Sequence, residues 1–375
     1  MKEKRKLGLY LHVPFCKSKC IYCDFYSLAR SEERMDAYTA ALRTQLRAFA
    51  PRAAGYTADT VYFGGGTPSY LGAARLAGVL EEVCADYDVA PDAEITLEAN
   101  PESARSVDAL RTLRAAGFNR ISLGMQSADD RELRAIGRIH TARQTEQAVD
   151  CARRAGFANL SLDLIYGLPA QTAARWRDNL AAAVALDPEH LSCYGLKVEP
   201  GTPLYERRAD AQLPDDEMQA QAYLEAVETL ARHGYAQYEI SNFARPGRES
   251  RHNLKYWTLG EYLGFGPGAH SDFGGRRFAF ARDLEAYLAG DIGRSEDNEI
   301  PPRERAAEYL MLGLRTANGV CARECALPFA AAEAELRVCA SHGLAVQNGE
   351  RWRLTPQGFL LSNAIIVRVL EAMAL

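Results

Sequence analysis

Short β-rich runs alternate with longer helical stretches, rich in Ala, Leu, Arg and Glu, from residue 7 to about residue 270. The runs predicted as strands span residues 7–13, 60–63, 94–98, 120–123, 159–165, 191–196 and 237–240. The helix-length segments between them include residues 32–50, 73–87, 106–116, 143–155 and 173–185. This alternation predicts an α/β fold with a parallel sheet or barrel, because each parallel strand needs a crossover connection to the next.

A weak internal repeat supports this prediction. Residues 116–123, Ala-Gly-Phe-Asn-Arg-Ile-Ser-Leu, are similar to residues 155–162, Ala-Gly-Phe-Ala-Asn-Leu-Ser-Leu, and more distantly to residues 233–238. The glycines Gly117, Gly156 and Gly234 are separated by 39 and then 78 residues, which is twice the first interval. Each glycine fits a helix C-cap before the next strand, so we predict repeated strand–helix units rather than a solenoid.

The chain after residue 295 has a different pattern. Helices are predicted over residues 303–316 and 331–341, and Asn348-Gly349 joins two short β-rich runs in a hairpin before a final helix. This order predicts a small winged-helix-like α+β domain at residues 296–375, following an α/β domain at residues 1–295. Because the formal net charge is −5, we interpret the smaller domain as an interaction or packing module without a nucleic-acid role.

Composition and charge exclude several classes of protein. The acidic balance argues against non-specific binding to nucleic acid or acidic lipid. The apolar stretch after the basic N-terminus is too short for a signal peptide, and no run approaches the ~18 apolar residues of a membrane span. Nine cysteines in 375 residues are an odd number and too sparse for a secreted disulfide scaffold. We therefore expect a cytoplasmic protein without a membrane anchor.

Three of the nine cysteines lie close together, as Cys16-x-x-x-Cys20-x-x-Cys23, directly after the first predicted strand. Thiolates bind soft metals and iron–sulfur clusters. A structural zinc site needs four ligands, so it would require His12 or Asp24 as the fourth. The residues alone leave three interpretations open: an iron–sulfur cluster with one open iron, a zinc site, or three ordinary thiols. The other six cysteines, interpreted as free thiols, are Cys84, Cys151, Cys193, Cys321, Cys325 and Cys339.

Polar residues lie at the ends of the next predicted strands. The Gly-Gly-Gly-Thr run at residues 64–67 follows the second strand, and such a run lets the backbone approach a ligand closely. Glu98 and Gln126 end the third and fourth strands, and Asp163 lies in the fifth. Each residue alone fits a turn or a cap. Because the functional residues of a (β/α) barrel meet at the C-terminal ends of its strands, the three together favour a binding site.

The segment from Leu9 to Phe25, with its three cysteines, resembles the cluster-binding signature of radical S-adenosylmethionine enzymes. It is most similar to the branch that contains oxygen-independent coproporphyrinogen III dehydrogenase and the HemW-type haem chaperones, and the likeness extends to about residue 360. The resemblance implies a partial (β/α) barrel in which Cys16, Cys20 and Cys23 bind a [4Fe–4S] cluster. The open iron would chelate S-adenosylmethionine, and one electron would cleave the sulfonium to methionine and a 5′-deoxyadenosyl radical.

The resemblance also implies the residues that contact S-adenosylmethionine. These are Tyr10, Tyr22, Gly65, Gly66, Thr67, Glu98, Gln126, Arg138 and Asp163. A carboxylate facing the ammonium group and a guanidinium facing the carboxylate are sensible pairings for this zwitterion. No catalytic side chain is assigned, because the hard chemistry belongs to the cofactors.

The hexapeptide His-Asn-Leu-Lys-Tyr-Trp at residues 252–257 matches the H-N-x-x-Y-W motif of the haem-chaperone branch. An imidazole is a good axial ligand for haem iron, and a Tyr–Trp pair offers flat apolar surface. By the resemblance, the candidate haem contacts are His252, Asn253, Tyr256 and Trp257. His270 is an alternative candidate, and a hydrogen-bonded histidine in a rigid aromatic segment is the competing interpretation of His252.

Two departures from the dehydrogenase pattern favour the chaperone. The dehydrogenase signature has a further cysteine two residues after the third, where this chain has Phe25, and the first predicted strand begins near residue 7, without the long N-terminal extension of that enzyme. We expect a haem chaperone that binds a [4Fe–4S] cluster, S-adenosylmethionine and haem. It would receive electrons from a donor and transfer haem to acceptors such as membrane-bound respiratory proteins. Oxidative decarboxylation of coproporphyrinogen III is the alternative, and a zinc-stabilised barrel is the third candidate.

Overall fold

The structure is a computed structural model that describes residues 4–375. Its strands are β1 (Arg5–Val13), β2 (Phe15–Cys16), β3 (Leu28–Ala29), β4 (Tyr56–Gly65), β5 (Val89–Ala99), β6 (Arg120–Gln126), β7 (Leu160–Tyr166), β8 (His190–Gly195), β9 (Ala236–Gln237), β10 (Asn242–Ala244), β11 (Tyr262–Phe265), β12 (His270–Phe273), β13 (Arg276–Phe280), β14 (Arg294–Glu299), β15 (Val320–Cys321), β16 (Ala345–Asn348) and β17 (Arg351–Leu354). Its helices are α1 (Met35–Phe49), α2 (Ala73–Asp86), α3 (Val107–Ala116), α4 (Asp130–Ala135), α5 (Ala142–Arg154), α6 (Ala173–Ala185), α7 (Pro203–Glu206), α8 (Asp216–Arg232), α9 (Arg251–Trp257), α10 (Leu284–Leu288), α11 (Pro302–Gly313), α12 (Ala330–Ser341), α13 (Pro356–Leu360) and α14 (Ser362–Ala372).

Twelve of these strands form one sheet, in the order β14-β13-β12-β11-β1-β4-β5-β6-β7-β8-β10-β9. The central strands from β11 to β8 are parallel neighbours, and the strands beyond them at both edges are antiparallel. Within residues 4–375, no pairing joins β14 to β9, so the barrel is open along one side. The sheet confirms the predicted α/β fold class with a partial (β/α) barrel.

Alternation along the central strands separates an apolar outer face from a polar inner face. On β1, Leu9 and Leu11 are fully buried in the main hydrophobic core. Tyr10 and His12 lie on the opposite face, where the Tyr10 hydroxyl is 3.1 Å from His12 Nδ1. Polar side chains therefore line the interior of the barrel.

The three repeat glycines end helices as predicted. Gly117, Gly156 and Gly234 follow α3, α5 and α8 with φ values of 120°, 92° and 83°, a region that favours glycine. The first two helices lead to the parallel strands β6 and β7. The third leads only to β9, so the strand predicted over residues 237–240 is wrong beyond Gln237. The chain turns there, and the Tyr238 amide donates to the Asn242 carbonyl at 3.1 Å, which closes a hairpin onto β10.

The C-terminal segment has its own small core. The strands β15, β17 and β16 form a three-stranded sheet that includes the predicted hairpin. The helices α11, α12 and α14 pack around it through side chains such as Leu310, Leu336 and Ile366. The boundary predicted at residue 295 falls within β14, which pairs with β13 in the barrel sheet, and the division into two domains stays a prediction. Among residues 4–375, no helix combines the length and the apolar character that crossing a bilayer requires.

Candidate cofactor site

The three clustered cysteines lie in a loop that leaves the C-terminal end of β1. Cys16 is buried in β2, whereas Cys20 and Cys23 are half-buried. The pairing of β2 with β3 closes the loop at its base, and the Ile21 amide donates to the Ile136 carbonyl at 3.2 Å. We call this loop, residues 16–23, and the C-terminal ends of β11, β1, β4, β5, β6 and β7 the barrel mouth.

The three thiols lie within electrostatic reach of one another. Burial raises the pKa of Cys16, and it raises the pKa of Cys23 to about 11, with the neighbouring thiols adding to both shifts. No three His, Cys, Asp or Glu side chains within residues 4–375 are placed to hold a single metal ion. An iron–sulfur cluster is held by thiolates that bind different irons, so its ligands need not converge on one point. Three adjacent thiols in one loop therefore fit the donor chemistry of such a cluster.

A chain of hydrogen bonds joins Cys16 to Cys20 through the strand ends. Thr67 Oγ1 donates to Cys16 Sγ at 3.4 Å, and Asn100 Nδ2 donates to Thr67 Oγ1 at 3.0 Å. Arg138 donates to Asn100 Oδ1 at 2.7 Å and to Cys20 Sγ at 3.7 Å. Asn100 is not among the predicted site residues. It lies directly after β5, and the same position at the end of this strand is the reason that Glu98 is predicted as a site residue.

The glycine run at residues 64–67 packs against the start of the cysteine loop. A Cβ atom on Gly65 would lie 2.7 Å from the His12 ring, and one on Gly66 would lie 2.7 Å from the Phe15 carbonyl oxygen. The Gly66 amide donates to the Val13 carbonyl at 2.8 Å. Only glycine fits these two positions without displacing the cysteine loop.

Two half-buried carboxylates face the barrel interior below the mouth. The Tyr62 hydroxyl donates to Glu98 Oε1 at 2.7 Å, and the Gly65 amide donates to Glu98 Oε2 at 3.2 Å. Burial raises the pKa of Glu98 to about 7 despite these donors. Ser122 Oγ lies 3.2 and 3.1 Å from the two oxygens of Asp163, and burial also raises the pKa of Asp163. Both acids are held in place by hydrogen bonds, and a cationic ligand would favour their ionised forms.

Gln126 and Arg138 meet at the end of β6. A bulge follows Gly124, and Gln126 has a φ of 61°, a strained conformation for a residue with a side chain. A Cβ atom on Gly124 would lie 2.8 Å from Gln126 Nε2 and 2.9 Å from Arg138 Nη2. Tyr22, in the cysteine loop, is close enough to Arg138 for the guanidinium to affect the pKa of its hydroxyl, which burial raises. The structure thus gathers the residues predicted to contact S-adenosylmethionine at the mouth and in the interior just below it.

The H-N-x-x-Y-W motif lies in the short helix α9, against the opposite half of the barrel, where the His252 ring stacks on Tyr10 with centroids 6.3 Å apart. Glu94 accepts hydrogen bonds from the Arg251 and His252 amides at 3.1 and 3.0 Å. A Cβ atom on Gly8 would lie 3.2 Å from the His252 ring. Val13 is five residues beyond Gly8 on β1, roughly 17 Å away at ~3.3 Å per residue. We call α9 the barrel plug, and the structure does not bring it together with the cysteine loop.

Both ring nitrogens of His252 are already hydrogen-bonded. Nδ1 is 2.8 Å from Thr60 Oγ1 and Nε2 is 2.9 Å from the Tyr256 hydroxyl. The ring stacks on Tyr62 with centroids 5.0 Å apart, and burial lowers the pKa of His252 to about 3. Neither nitrogen is free to bind iron in this conformation. The haem role predicted for His252, Asn253, Tyr256 and Trp257 would require a rearrangement of α9, and it stays a prediction.

Comparison with known proteins identifies the family. Residues 10–182 match the Radical SAM superfamily, and residues 300–361 match the HemN C-terminal domain. The chain is 39% identical to the heme chaperone HemW of Mycobacterium tuberculosis over 96% of its own length and 93% of that protein. The chain belongs to the HemW family. The HemW proteins of Bacillus subtilis and Escherichia coli K12 are each 35% identical to it, over 95% and 96% of this chain and 97% of each relative.

A solved relative supports the fold of this HemW family member. The coproporphyrinogen III oxidase HemN of Escherichia coli, a radical SAM enzyme, superposes with a TM-score of 0.85 at 26% identity. The match covers 98% of this chain and 90% of HemN. Membership of the HemW family confirms the resemblance drawn from the cysteine loop. Membership of the radical SAM superfamily implies a [4Fe–4S] cluster and S-adenosylmethionine as cofactors.

Proposed function

We propose that this protein is a haem chaperone that binds a [4Fe–4S] cluster, S-adenosylmethionine and haem, and transfers haem to acceptor proteins. The observation that carries the proposal is the three-thiol loop at the barrel mouth, in a chain 39% identical over 96% of its length to a heme chaperone HemW. The acceptors include membrane-bound respiratory proteins, an electron donor is a further partner, and the cytoplasm is the site of action.

The cluster ligands in this proposal are Cys16, Cys20 and Cys23. When bound, the cluster supplies one electron to S-adenosylmethionine. Arg138 lies between the thiols and the strand ends, with hydrogen bonds to Cys20 Sγ and to the Gly124 carbonyl. A fixed guanidinium at this position stabilises negative charge on the thiolates and on a carboxylate bound beside them.

The chain's own side chains orient S-adenosylmethionine in the proposed complex. A hydrogen bond from the Tyr62 hydroxyl fixes the orientation of the Glu98 carboxylate in the barrel. In the proposed complex, this carboxylate accepts a hydrogen bond from the ammonium group of the methionine moiety. Asp163 is fixed by Ser122 on the neighbouring strand. A cation beside these two half-buried acids favours their ionised forms, which offsets the desolvation that raises the pKa of both groups. The remaining contacts are Tyr10, Tyr22, Gly65, Gly66, Thr67 and Gln126.

A second candidate function is the oxidative decarboxylation of coproporphyrinogen III, favoured by the similarity to HemN over 98% of this chain. Phe25 opposes it, because the dehydrogenase signature has a cysteine at this position and the Phe25 side chain here is 63% exposed. An exposed phenyl ring cannot replace a thiol in any ligand or redox role.

One anaerobic experiment separates these functions. The purified full chain is reconstituted with iron and sulfide, and its iron content, cleavage of S-adenosylmethionine, binding of haem and turnover of coproporphyrinogen III are measured. Iron and sulfide uptake with tight haem binding and no porphyrinogen turnover supports the chaperone. Porphyrinogen turnover at an enzymatic rate would make the second function the correct one. Full occupancy by zinc with no iron uptake would contradict both.

A further inference from the structure

The seven histidines of the chain fall into two groups by burial. The buried ones are His12, His140, His190 and His252. Three of these four have hydrogen bonds at both ring nitrogens, and His140 has one from Nε2 to the Met125 carbonyl at 3.2 Å. The exposed ones are His233, His270 and His342. An axial ligand for haem needs an accessible nitrogen with a free lone pair, so the exposed group is the place to search.

His270 is the exposed histidine that lies at the barrel mouth. It begins β12, and the pairing of Tyr262 with Asp272 places the inward-facing residues of β11 and β12 side by side. Tyr262 faces inward, because its ring packs edge-on against Tyr256 with centroids 4.7 Å apart. Since alternate residues share a face, His270 lies on the same inner face as Asp272, at its open end. The other two exposed histidines end helices α8 and α12, away from the mouth.

The turn before His270 packs against the end of β1 and against Tyr26, which follows the cysteine loop. A Cβ atom on Gly264 would lie 2.2 Å from the His270 carbonyl oxygen, so only glycine allows the two strands to approach. A Cβ atom on Gly266 would lie 2.6 Å from the His12 carbonyl oxygen, and one on Gly268 would lie 3.4 Å from Tyr26. Tyr26 follows Cys23 by three residues. The turn therefore rests on β1, which precedes the cysteine loop, and on Tyr26, which follows it.

A free cation lies beside the same turn. Arg282 is exposed, and its side chain would lie 3.4 Å from a Cβ atom on Gly268. Burial is the main cause of the low pKa of His12, which is about 4, and the nearby Arg282 and His270 add to it, so all three groups are neighbours. Within residues 4–375, Arg282 has no ion-pair partner and the His270 ring has no hydrogen bond. An exposed guanidinium without an ion-pair partner can bind the carboxylate of a ligand.

The mouth also exposes apolar surface near this turn. Phe25, which precedes Tyr26, is 63% exposed. An exposed aromatic ring beside a polar site offers flat apolar surface to a ligand. An imidazole, a guanidinium and an exposed phenyl ring match the iron, the propionates and the macrocycle of haem.

We propose that His270 is the axial ligand of haem at the barrel mouth and that Arg282 pairs with a haem propionate. The inference rests on the proposed chaperone function and names the haem site within it. One imidazole nitrogen donates its lone pair to the iron and displaces a weakly bound water. The other nitrogen keeps its proton, and no electron is transferred. Haem would then lie beside the cysteine loop rather than at the barrel plug.

The test compares haem binding by the full chain and by His270→Gly, with His233→Ala as the control for loss of an exposed histidine. Haem is titrated as ferric haem, and the Soret band and low-temperature EPR spectrum are recorded. We expect His270→Gly to bind at least about tenfold more weakly, with altered spectra that added imidazole restores. His233→Ala should behave like the parent protein.

Two outcomes would overturn the inference in different ways. If His270→Gly keeps the parent affinity and spectra, haem has another ligand and the chaperone function stands without this site. If the parent protein binds no haem, the proposed function fails and the site fails with it. Restoration by imidazole distinguishes a lost ligand from a misfolded variant, because a misfolded chain would not recover the parent spectra.

The propionate contact has its own test. Arg282→Ala should bind haem about tenfold more weakly with an unchanged Soret band, because a charge-assisted hydrogen bond is lost while the iron ligand remains. For haem dimethyl ester, which has no carboxylates, the parent and Arg282→Ala should bind equally. Arg248→Ala, at another exposed arginine, is the matched control. Equal haem affinity of the parent and Arg282→Ala, or an equal loss for the ester, would contradict the propionate contact.

Discussion

The two ends of the barrel differ in how accessible their candidate ligand groups are. At the barrel plug, buried His252 has a hydrogen-bond partner at each ring nitrogen, and Glu94 accepts hydrogen bonds from two backbone amides of α9. At the barrel mouth, Cys20 and Cys23 are half-exposed, and Gln126 has a strained backbone. Strained backbone persists mainly at functional sites, and an accessible thiol can bind a ligand.

This difference separates two roles that the sequence patterns do not distinguish. Both segments contain residues with ligand chemistry close together, thiols in one and an imidazole with aromatic rings in the other. The plug uses its groups for internal hydrogen bonds, which stabilise the fold. At the mouth, two of the three clustered thiols remain partly exposed and accessible to a ligand. The comparison therefore predicts that changes at the mouth remove ligands, whereas changes at the plug lower stability.

Cys20→Ser should have the largest effect of any single change at the mouth. Serine is a poor ligand for iron, and with two thiols remaining the cluster has too few protein ligands. We expect complete loss of the reconstituted cluster, measured as iron content and as absorbance in the visible range. Cys84→Ser, at an exposed cysteine of α2, should reconstitute like the parent protein. A Cys20→Ser variant that retains a full cluster would show that this thiol is not a ligand.

His252→Ala should lower stability by about 3 kcal/mol, because two buried hydrogen bonds and the packing on Tyr62 are lost. The measurement is the midpoint of thermal or urea unfolding, with His342→Ala at an exposed position as the control. Haem affinity should persist at temperatures where the variant stays folded. An unchanged midpoint together with lost haem binding would reverse the comparison and make His252 the ligand.

The fold was largely predictable because strand and helix periodicity extends over many residues. The strands over residues 7–13 and 120–123 were found from short apolar runs, and their bounds were extended only by a few residues in the structure. The strand at residues 237–240 was overestimated, because local β propensity does not reveal that Tyr238 begins a turn onto β10. Propensity describes a segment, whereas tertiary pairing decides where the strand ends.

The site was predictable only in part, and its contacts were not. The cysteine spacing and the strand-end residues Glu98 and Asp163 could be found by position. The link through Asn100, which joins Thr67 to Arg138, depends on which side chains meet across three strand ends. Whether an imidazole is free or already bonded depends on long-range neighbours, such as Thr60 for His252. No spacing pattern contains that information.

Glu98 offers a pH-dependent test of the mouth. Its pKa in the protein without ligands is about 7, above the usual value of 4.5, so the carboxylate becomes protonated as the pH falls below about 7. A protonated carboxyl group no longer attracts the ammonium group of S-adenosylmethionine. We expect the affinity measured by calorimetry to decrease from about pH 8 to about pH 6.

Glu98→Gln isolates this charge. The variant should bind S-adenosylmethionine about tenfold more weakly at the higher pH and lose most of the pH dependence, since the titrating charge is gone. Glu146→Gln, at an exposed position of α5, should keep both the affinity and the slope. A full pH dependence in Glu98→Gln would assign the titration to another group.

Thr60→Val should have the smallest effect on stability, because it removes a single hydrogen bond of the barrel plug. Valine keeps the branched shape of threonine but cannot bond to His252 Nδ1, which is 2.8 Å from Thr60 Oγ1. The expected loss of stability is about 1 kcal/mol, measured by unfolding, whereas Thr57→Val on the more exposed part of β4 should cost less. In Thr60→Val combined with His252→Ala, the loss should be smaller than the sum of the two single changes, because both remove the same bond. Additive losses would mean that the two side chains stabilise the plug independently, and the hydrogen bond between them would then contribute nothing to it.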